Sequence, residues 1–203
     1  SGAYKKLVSS YYNKTASTDK SNTTSTKLNS NKNAIAQRIE LTEVKDAADS
    51  LYEAAGKLTD TSASKSLFKK ADKVTNDITS AVKDYVKNYN SLIEEAADTT
   101  NSKVTGKVSF MTGQANAYKS SLEKVGITIN SDKTLSIDED TFKKSDISDV
   151  KKLFNGSGSM AYQTFVRASD ISSAAENASA SVTSYGADGM YNNYYNSAYN
   201  WYL

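Results

Sequence analysis

Residues 63–97 read ASKSLFKKADKVTNDITSAVKDYVKNYNSLIEEAA, and the apolar positions in this stretch decide how the rest of the chain is interpreted. These positions recur mostly at steps of three or four residues: Leu67, Ala71, Val74, Ile78, Ala81 or Val82, Tyr85, Tyr89, Leu92 and Ala96. Such spacing places them on one side of an α-helix, with the charged residues on the other sides. The pattern predicts one helix from Ala63 to Ala97, on the order of 50 Å long, that needs a partner helix.

The preceding stretch, from Ala34 to Leu58, is the natural partner for that helix. Its apolar residues have the same spacing: Ile35, Ile39, Val44, Ala48, Leu51, Ala55 and Leu58. Only the polar residues 59–62 separate the two segments, and so short a connection favours antiparallel neighbours. We expect this pair of helices to form the core of the molecule.

The composition argues against several classes of function. The chain has 203 residues, enough for one domain with its own core, and a formal charge of only +2, which disfavours an electrostatic nucleic-acid binder. It contains no Cys and no His, so it lacks thiol nucleophiles, the commonest general base and the commonest metal ligands. No apolar run is long enough to span a bilayer. We therefore predict a non-enzymatic protein without catalytic residues, cofactor, metal site or nucleic-acid partner.

The second half of the chain begins with a third predicted helix, from about Lys107 to Lys124. Its apolar face is formed by Val108, Met111, Ala115, Tyr118 and Leu122. Gly126 stands where a glycine commonly ends a helix. Apolar and polar residues then alternate in 127–129 and 135–137 around a polar loop, which is typical of a β-hairpin.

Further helical patterns follow the hairpin. Asp138 is expected to cap a short helical turn, and Ser145 or Ser148 to begin a second one that contains Val150, Leu153 and Phe154. A fourth helix is expected over about 159–180. The predicted fold class is mainly α: an elongated antiparallel helical bundle or coiled coil over residues 34–180, with one small β-hairpin at about 127–137 and flexible termini.

The two ends of the chain differ from its centre. Residues 1–33 are predicted to be a short amphipathic helix followed by a disordered polar linker, and residues 181–203 a flexible tyrosine-rich tail. Because the chain begins with Ser1, we expect it to have been trimmed. The apolar residues of the ends either complete the core of their own chain or pair with another copy, and the long polar linker favours self-association. The residues expected to take part are Tyr4, Leu7, Tyr11, Tyr12, Tyr191, Tyr194, Tyr195, Tyr199 and Tyr202.

Three motifs resemble those of bacterial flagellar filament-capping proteins, a hook-associated family. The first is VKDYVKNYNSLI at 82–93, the second is SLEKVGIT at 121–128 followed by DKTLSID at 132–138, and the third is VKKLFNG at 150–156. The residues that match the family pattern are Tyr85, Tyr89, Asn90, Leu92, Gly126, Ile127, Leu135, Asp138, Leu153 and Phe154. Lys133 stands where the family has a turn glycine, so we expect a four-residue hairpin loop instead of a tight turn.

The resemblance implies an exported structural protein of the bacterial flagellum or cell surface that assembles through its terminal helices. Its partners would be other copies, other flagellar axial proteins and an export chaperone. The large β-rich domains of such capping proteins have no counterpart in this sequence. The alternative is a secreted or surface helical module that binds a glycan or a host protein through exposed tyrosines.

One acidic segment has the residue types of a calcium site. Asp132, Asp138, Glu139 and Asp140 supply carboxylates, but the sharp-turn glycine and the final bidentate glutamate of a calcium loop are missing. Acidic residues that complement the dipole at the start of a helix explain this cluster better.

Two further polar segments have the residue types of anion sites. Residues 155–159, NGSGS, precede a helix as a phosphate loop does, but they lack its Gly-Lys-Ser/Thr ending and are interpreted as a linker. Lys65, Lys69 and Lys73 share one face of the predicted long helix. Because Asp72 and Asp77 lie among them, we interpret this face as solvated.

Overall fold

The computed structural model describes residues 22–62 and 64–184, with side chains for 33–62 and 64–182. Within these ranges the elements, in chain order, are α1 (Asn22–Thr59), α2 (Asn76–Asp98), α3 (Ser102–Ala115), α4 (Lys119–Lys124), β1 (Ile127–Ile129), β2 (Leu135–Ile137), α5 (Glu139–Lys144), α6 (Ile147–Phe154) and α7 (Met160–Ser184). The predicted class, mainly helical with one small antiparallel sheet, is confirmed. The described residues contain no candidate for a membrane-spanning helix.

Residues 40–178 form one compact unit, and the described residues 22–39 and 179–184 belong to a second one. In the larger unit α1 packs against α7, where the Tyr52 and Phe165 rings stack with centroids 4.2 Å apart. Asp49 accepts a hydrogen bond from Ser172 Oγ at 2.6 Å. Residue 49 contacts 172 and residue 52 contacts 165, so the residue numbers rise along α1 while they fall along α7. The two helices are therefore antiparallel.

The prediction of one helix from Ala63 to Ala97 is wrong for its first third. Residues 64–75 form turns, and α2 begins at Asn76 because Thr75 Oγ1 accepts a hydrogen bond from the Ile78 N–H at 3.2 Å. The segment is held by the buried Phe68 and by Lys151, whose ammonium donates to the Ala71 carbonyl at 2.9 Å. Apolar spacing alone could not show this, since Ser, Thr and Asp side chains compete with helical hydrogen bonds. The short antiparallel connection to the 34–58 helix is therefore absent.

The polar linker predicted to end at residue 33 is wrong for its second half, because α1 already begins at Asn22. The segment 22–33 contains neither Gly nor Pro. Its Ser, Thr and Asn residues each cost less than about 0.7 kcal/mol relative to Ala in a helix, and adding a residue to an existing helix requires no new nucleus. The remaining predictions for residues 1–21 lie outside the described residues.

The third helix starts five residues earlier than predicted. Asn101 caps α3, since its Oδ1 accepts hydrogen bonds from the backbone N–H groups of Lys103 and Val104 at 3.2 Å each. A single 3-10 turn at Asn116–Tyr118 joins α3 to α4. The predicted end is confirmed, because Gly126 has a φ of +77° just beyond α4.

The hairpin is confirmed in both strands. β1 and β2 are antiparallel, with Ile127 opposite Ile137 and Ile129 opposite Leu135. Five residues, 130–134, lie between the two strands, one more than predicted, and the Asn130 N–H donates to the Thr134 carbonyl at 2.8 Å across the loop. Lys133 takes the left-handed conformation, with a φ of +72°, that a turn glycine adopts more easily.

The caps of the last helices agree in part with those predicted from the sequence. Asp138 caps α5 as predicted, through its Oδ1 and the N–H of Thr141 at 3.1 Å. The cap of α6 is Asp146, and neither Ser145 nor Ser148, because the Asp146 carboxylate accepts from the Ser148 N–H at 2.7 Å. The predicted fourth helix is confirmed as α7, where Ser159 Oγ accepts from the N–H of Tyr162 at 3.1 Å.

The backbone at Lys133 generates a prediction about stability. Lys133→Gly removes the contact between Cβ and backbone that costs an L-residue roughly 1–2 kcal/mol in this conformation. Glycine also gives the unfolded chain more conformational freedom, which offsets part of this gain. We therefore expect the free energy of unfolding, measured by urea denaturation, to rise by about 0.5 kcal/mol. Ser131→Gly, in the same loop but without positive φ, is the control and should lower it. Equal changes in the two variants would contradict this account.

Candidate functional site

The residues of the three sequence motifs lie close together, although three separate parts of the chain supply them. Tyr85, Tyr89 and Leu92 are buried along one side of α2. Ile127 and Leu135 are buried in the hairpin, and Leu153 and Phe154 are buried at the end of α6. The hairpin and α5 pack directly on α2. We call this cluster the motif cluster.

Asn90 joins the first and second motifs by a pair of hydrogen bonds. Its Oδ1 accepts from the N–H of Leu135 at 2.7 Å, and its Nδ2 donates to the carbonyl of the same residue at 2.8 Å. The side chain therefore occupies the position of a neighbouring strand at β2. A matched donor and acceptor explain an asparagine here, because a carboxylate would offer no donor to the carbonyl.

The base of the hairpin depends on close contact between Gly126 and α5. A Cβ on Gly126 would lie 2.8 Å from Cβ of Thr141 and 3.1 Å from the carbonyl oxygen of Asp138. The Gly126 carbonyl accepts a hydrogen bond from the N–H of Asp138 at 2.8 Å, and the Asp138 carboxylate also accepts from Thr141 Oγ1 at 2.9 Å. The glycine and aspartate of the motif thus fix the hairpin against the start of α5.

Two buried tyrosines of the cluster differ in how their hydroxyl groups are satisfied. Tyr85 OH lies 2.8 Å from Thr164 Oγ1 of α7, and its ring meets the Phe154 ring edge-on, with centroids 5.7 Å apart. The hydroxyl of Tyr89 is buried without a hydrogen-bond partner among the described residues. Burial raises the pKa of both hydroxyls above the ordinary value, so both are neutral and serve as apolar anchors.

An ion pair at the surface also links α2 to α5. Glu139 accepts from Lys83 at 2.7 Å and from Lys143 at 2.8 Å. Hydrogen bonds from Lys143 and then Lys83 lower the pKa of the Glu139 carboxyl to about 2. Both oxygens of this carboxylate therefore bond lysine ammonium groups, Oε2 that of Lys83 and Oε1 that of Lys143.

Asp132 and Asp138, two other residues of the proposed calcium site, also have local partners. Asp132 accepts from the N–H and Oγ1 of Thr134 at 3.0 and 2.6 Å, and no group of three or more metal-ligating side chains occurs in the described ranges.

In the NGSGS segment, the Asn155 amide donates to the Leu58 carbonyl at 3.2 Å. Since residues 64–75 are not helical, Lys65, Lys69 and Lys73 do not share a helix face.

The residues predicted for self-association cannot be placed in this structure. All of them belong to the two chain ends, outside the described residues: Tyr4, Leu7, Tyr11, Tyr12, Tyr191, Tyr194, Tyr195, Tyr199 and Tyr202. Their role therefore stays a prediction.

An exposed aromatic surface on α1 and α7 was missed by the sequence reasoning. Phe165 stacks on Tyr52, and Tyr162 lies beside it with ring centroids 6.2 Å apart. The residues Tyr52 and Tyr162 are each 38 % exposed, as is the neighbouring Val166. One signal in the sequence could have identified this surface. Tyr52 directly follows Leu51 of the apolar seam in 34–58, so its ring lies at the edge of the buried face.

No protein-family model matches this chain, and neither a curated protein nor a solved structure matches it at a significant level. Its function is therefore inferred from the motifs that the sequence carries and from the surfaces that the structure presents.

The Asn90 hydrogen bonds generate a prediction with a control on the same helix. Asn90→Ala leaves the N–H and carbonyl of Leu135 without their partner, so we expect the free energy of unfolding to fall by roughly 2 kcal/mol in chemical denaturation. Asn88→Ala removes only an exposed bond to the Asp84 carbonyl and should change stability by less than about 0.5 kcal/mol. Similar losses in both variants would argue against the bridging role.

The two tyrosines of the cluster allow a second matched test. Tyr85→Phe leaves the hydroxyl of Thr164 without its partner, and we expect it to lower the free energy of unfolding by roughly 1–2 kcal/mol. Tyr89→Phe removes a buried hydroxyl that has no partner, so stability should stay the same or rise. Thermal and urea unfolding of both variants measure the difference, and an equal loss in Tyr89→Phe would reveal a bound water or another partner.

Proposed function

We propose that this chain is a non-enzymatic structural protein that resembles the helical part of a flagellar filament cap, is exported, and self-associates through its terminal segments. The observation that carries the proposal is the motif cluster. Three motifs that resemble those of flagellar caps, in the same order, also meet in space, and Asn90 of the first motif bonds the backbone of Leu135 in the second.

The chemistry of the cluster supports a structural role for the motifs. The polar groups of Asn90, Asp138 and Tyr85 are engaged with other groups of the protein. Residues used in this way maintain a fold, while contacts with partners come from other surfaces. The proposed partners are further copies, flagellar axial proteins and an export chaperone, and the proposed location is the flagellum or the cell surface.

A second candidate function is supported by the exposed aromatic surface. Tyr52, Tyr162 and Phe165 present stacked rings at the junction of α1 and α7, and tyrosines are enriched where proteins contact partners. A secreted or surface module that binds a glycan or a host protein would use such a surface as a monomer.

The experiment that separates the two functions is light scattering of the full chain over a wide concentration range. We expect concentration-dependent assembly that is lost when Tyr191, Tyr194, Tyr195, Tyr199 and Tyr202 are replaced by Ser, since each loses a large apolar contact. Replacing Asn192, Asn193, Asn196 and Asn200 by Ser in the same tail is the control and should leave assembly unchanged. A parent chain that stays monomeric at every concentration would overturn the assembly proposal in favour of the binding module.

A further inference from the structure

A small cleft with an excess of positive charge lies between α3 and α7. It is lined by Lys103, Gly106, Lys107, Phe110, Arg167 and Asp170 and has a volume of about 320 Å³. We call it the α3–α7 cleft. None of its residues belongs to the motif cluster.

Arg167 is held in place at the wall of this cleft by three neighbours. Its Nε donates to Oε1 of Gln114 at 3.1 Å, and its Nη1 lies 3.3 Å from the carboxylate of Asp170. The guanidinium also lies over the Phe110 ring, 4.7 Å from the centroid, in a cation–π contact. The side chain is therefore ordered before any ligand arrives, which reduces the entropy cost of binding.

The charges of the cleft are unbalanced. Lys103 and Lys107 are one helical turn apart on α3 and belong to no salt bridge within the described part of the chain, while Arg167 shares its charge with Asp170. Three cations therefore face one carboxylate, although the whole chain has a formal charge of only +2. An anionic group is the chemistry that such a cleft favours.

The cleft also has an apolar surface and free space. Phe110 is 54 % exposed, the largest exposed fraction among the large apolar side chains of the described ranges. Gly106 lies between the two lysines, and a Cβ there would meet no atom within 4 Å. The volume is at the lower end of the range for small-molecule sites, so it suits one small ring and not a helix or a folded partner.

We propose that the α3–α7 cleft binds a carboxylated sugar, such as a uronic or sialic acid residue. The carboxylate would pair with Lys103, Lys107 and Arg167, and the C–H groups of the sugar ring would lie on Phe110, since the face of an aromatic ring carries partial negative charge. Asp170 repels any anionic group, but its carboxylate can accept hydrogen bonds from the several hydroxyl groups of a sugar ring, which a simple anion lacks. This proposal does not depend on the proposed assembly function.

The test is a titration of the full chain with sodium glucuronate, followed by NMR chemical shifts. We expect saturable shifts at residues 103–110 and 167–170, with a dissociation constant on the order of 1 mM, that weaken as salt is raised. Glucose, which lacks the carboxylate, should cause no saturable shifts there. Equal shifts with glucose and glucuronate would overturn the proposal.

Variants keep the test independent of folding. Gly106→Leu fills the cleft while it improves helix propensity, so the chain should stay folded and lose glucuronate binding at least tenfold. Phe110→Ala and the double variant Lys103→Gln, Lys107→Gln should do the same, whereas Lys87→Gln, an exposed lysine on α2, should bind as the parent does. Unchanged binding in Gly106→Leu would place the ligand elsewhere and overturn the assignment.

Two other probes distinguish the ligand class. Inorganic phosphate and a triglutamate peptide are titrated under the same conditions as glucuronate. We expect both to bind at least tenfold more weakly. Phosphate that binds as well as glucuronate would reduce the cleft to a general anion patch, and a tighter triglutamate complex would identify an acidic protein segment as its ligand; either result overturns the sugar proposal.

Discussion

The two hydrogen bonds between the Asn90 side chain and the backbone of Leu135 are the constraint on which this structure depends most. A hairpin with strands of three residues is at best marginally stable by itself. Asn90 gives β2 a second partner, so the hairpin is fixed to α2 at a defined register. Gly126 and Asp138 then attach its base to α5, and the aromatic contacts of Phe154 bring α6 to the same core.

Local patterns in the sequence predicted the elements whose hydrogen bonds are local. Alternation predicted both strands, Gly126 predicted the end of α4, and Asp138 predicted the start of α5. The segment 64–75 failed for the opposite reason. Its apolar spacing fits a helix, but its conformation is set by Thr75 and by Lys151, which donates to Ala71 from 80 residues along the chain. No local pattern contains that contact.

The same distinction applies to the candidate sites. The family resemblance selected residues that meet in one cluster, but it could not show that Asn90 contacts a backbone 45 residues away. The α3–α7 cleft was not foreseen either, because Phe110 and Arg167 lie on different helices and outside the predicted apolar seams. Sites of this kind require the helices to be packed before their residues can be recognised.

The antiparallel packing of α1 on α7 has a consequence for the order in which the fold can form. Asp49 and Ser172, which share a hydrogen bond, are 123 residues apart in the chain. A contact between such distant residues requires the closure of a long loop before it contributes any stability. We therefore expect the contact between α1 and α7 to form later in folding than the local contacts of the hairpin.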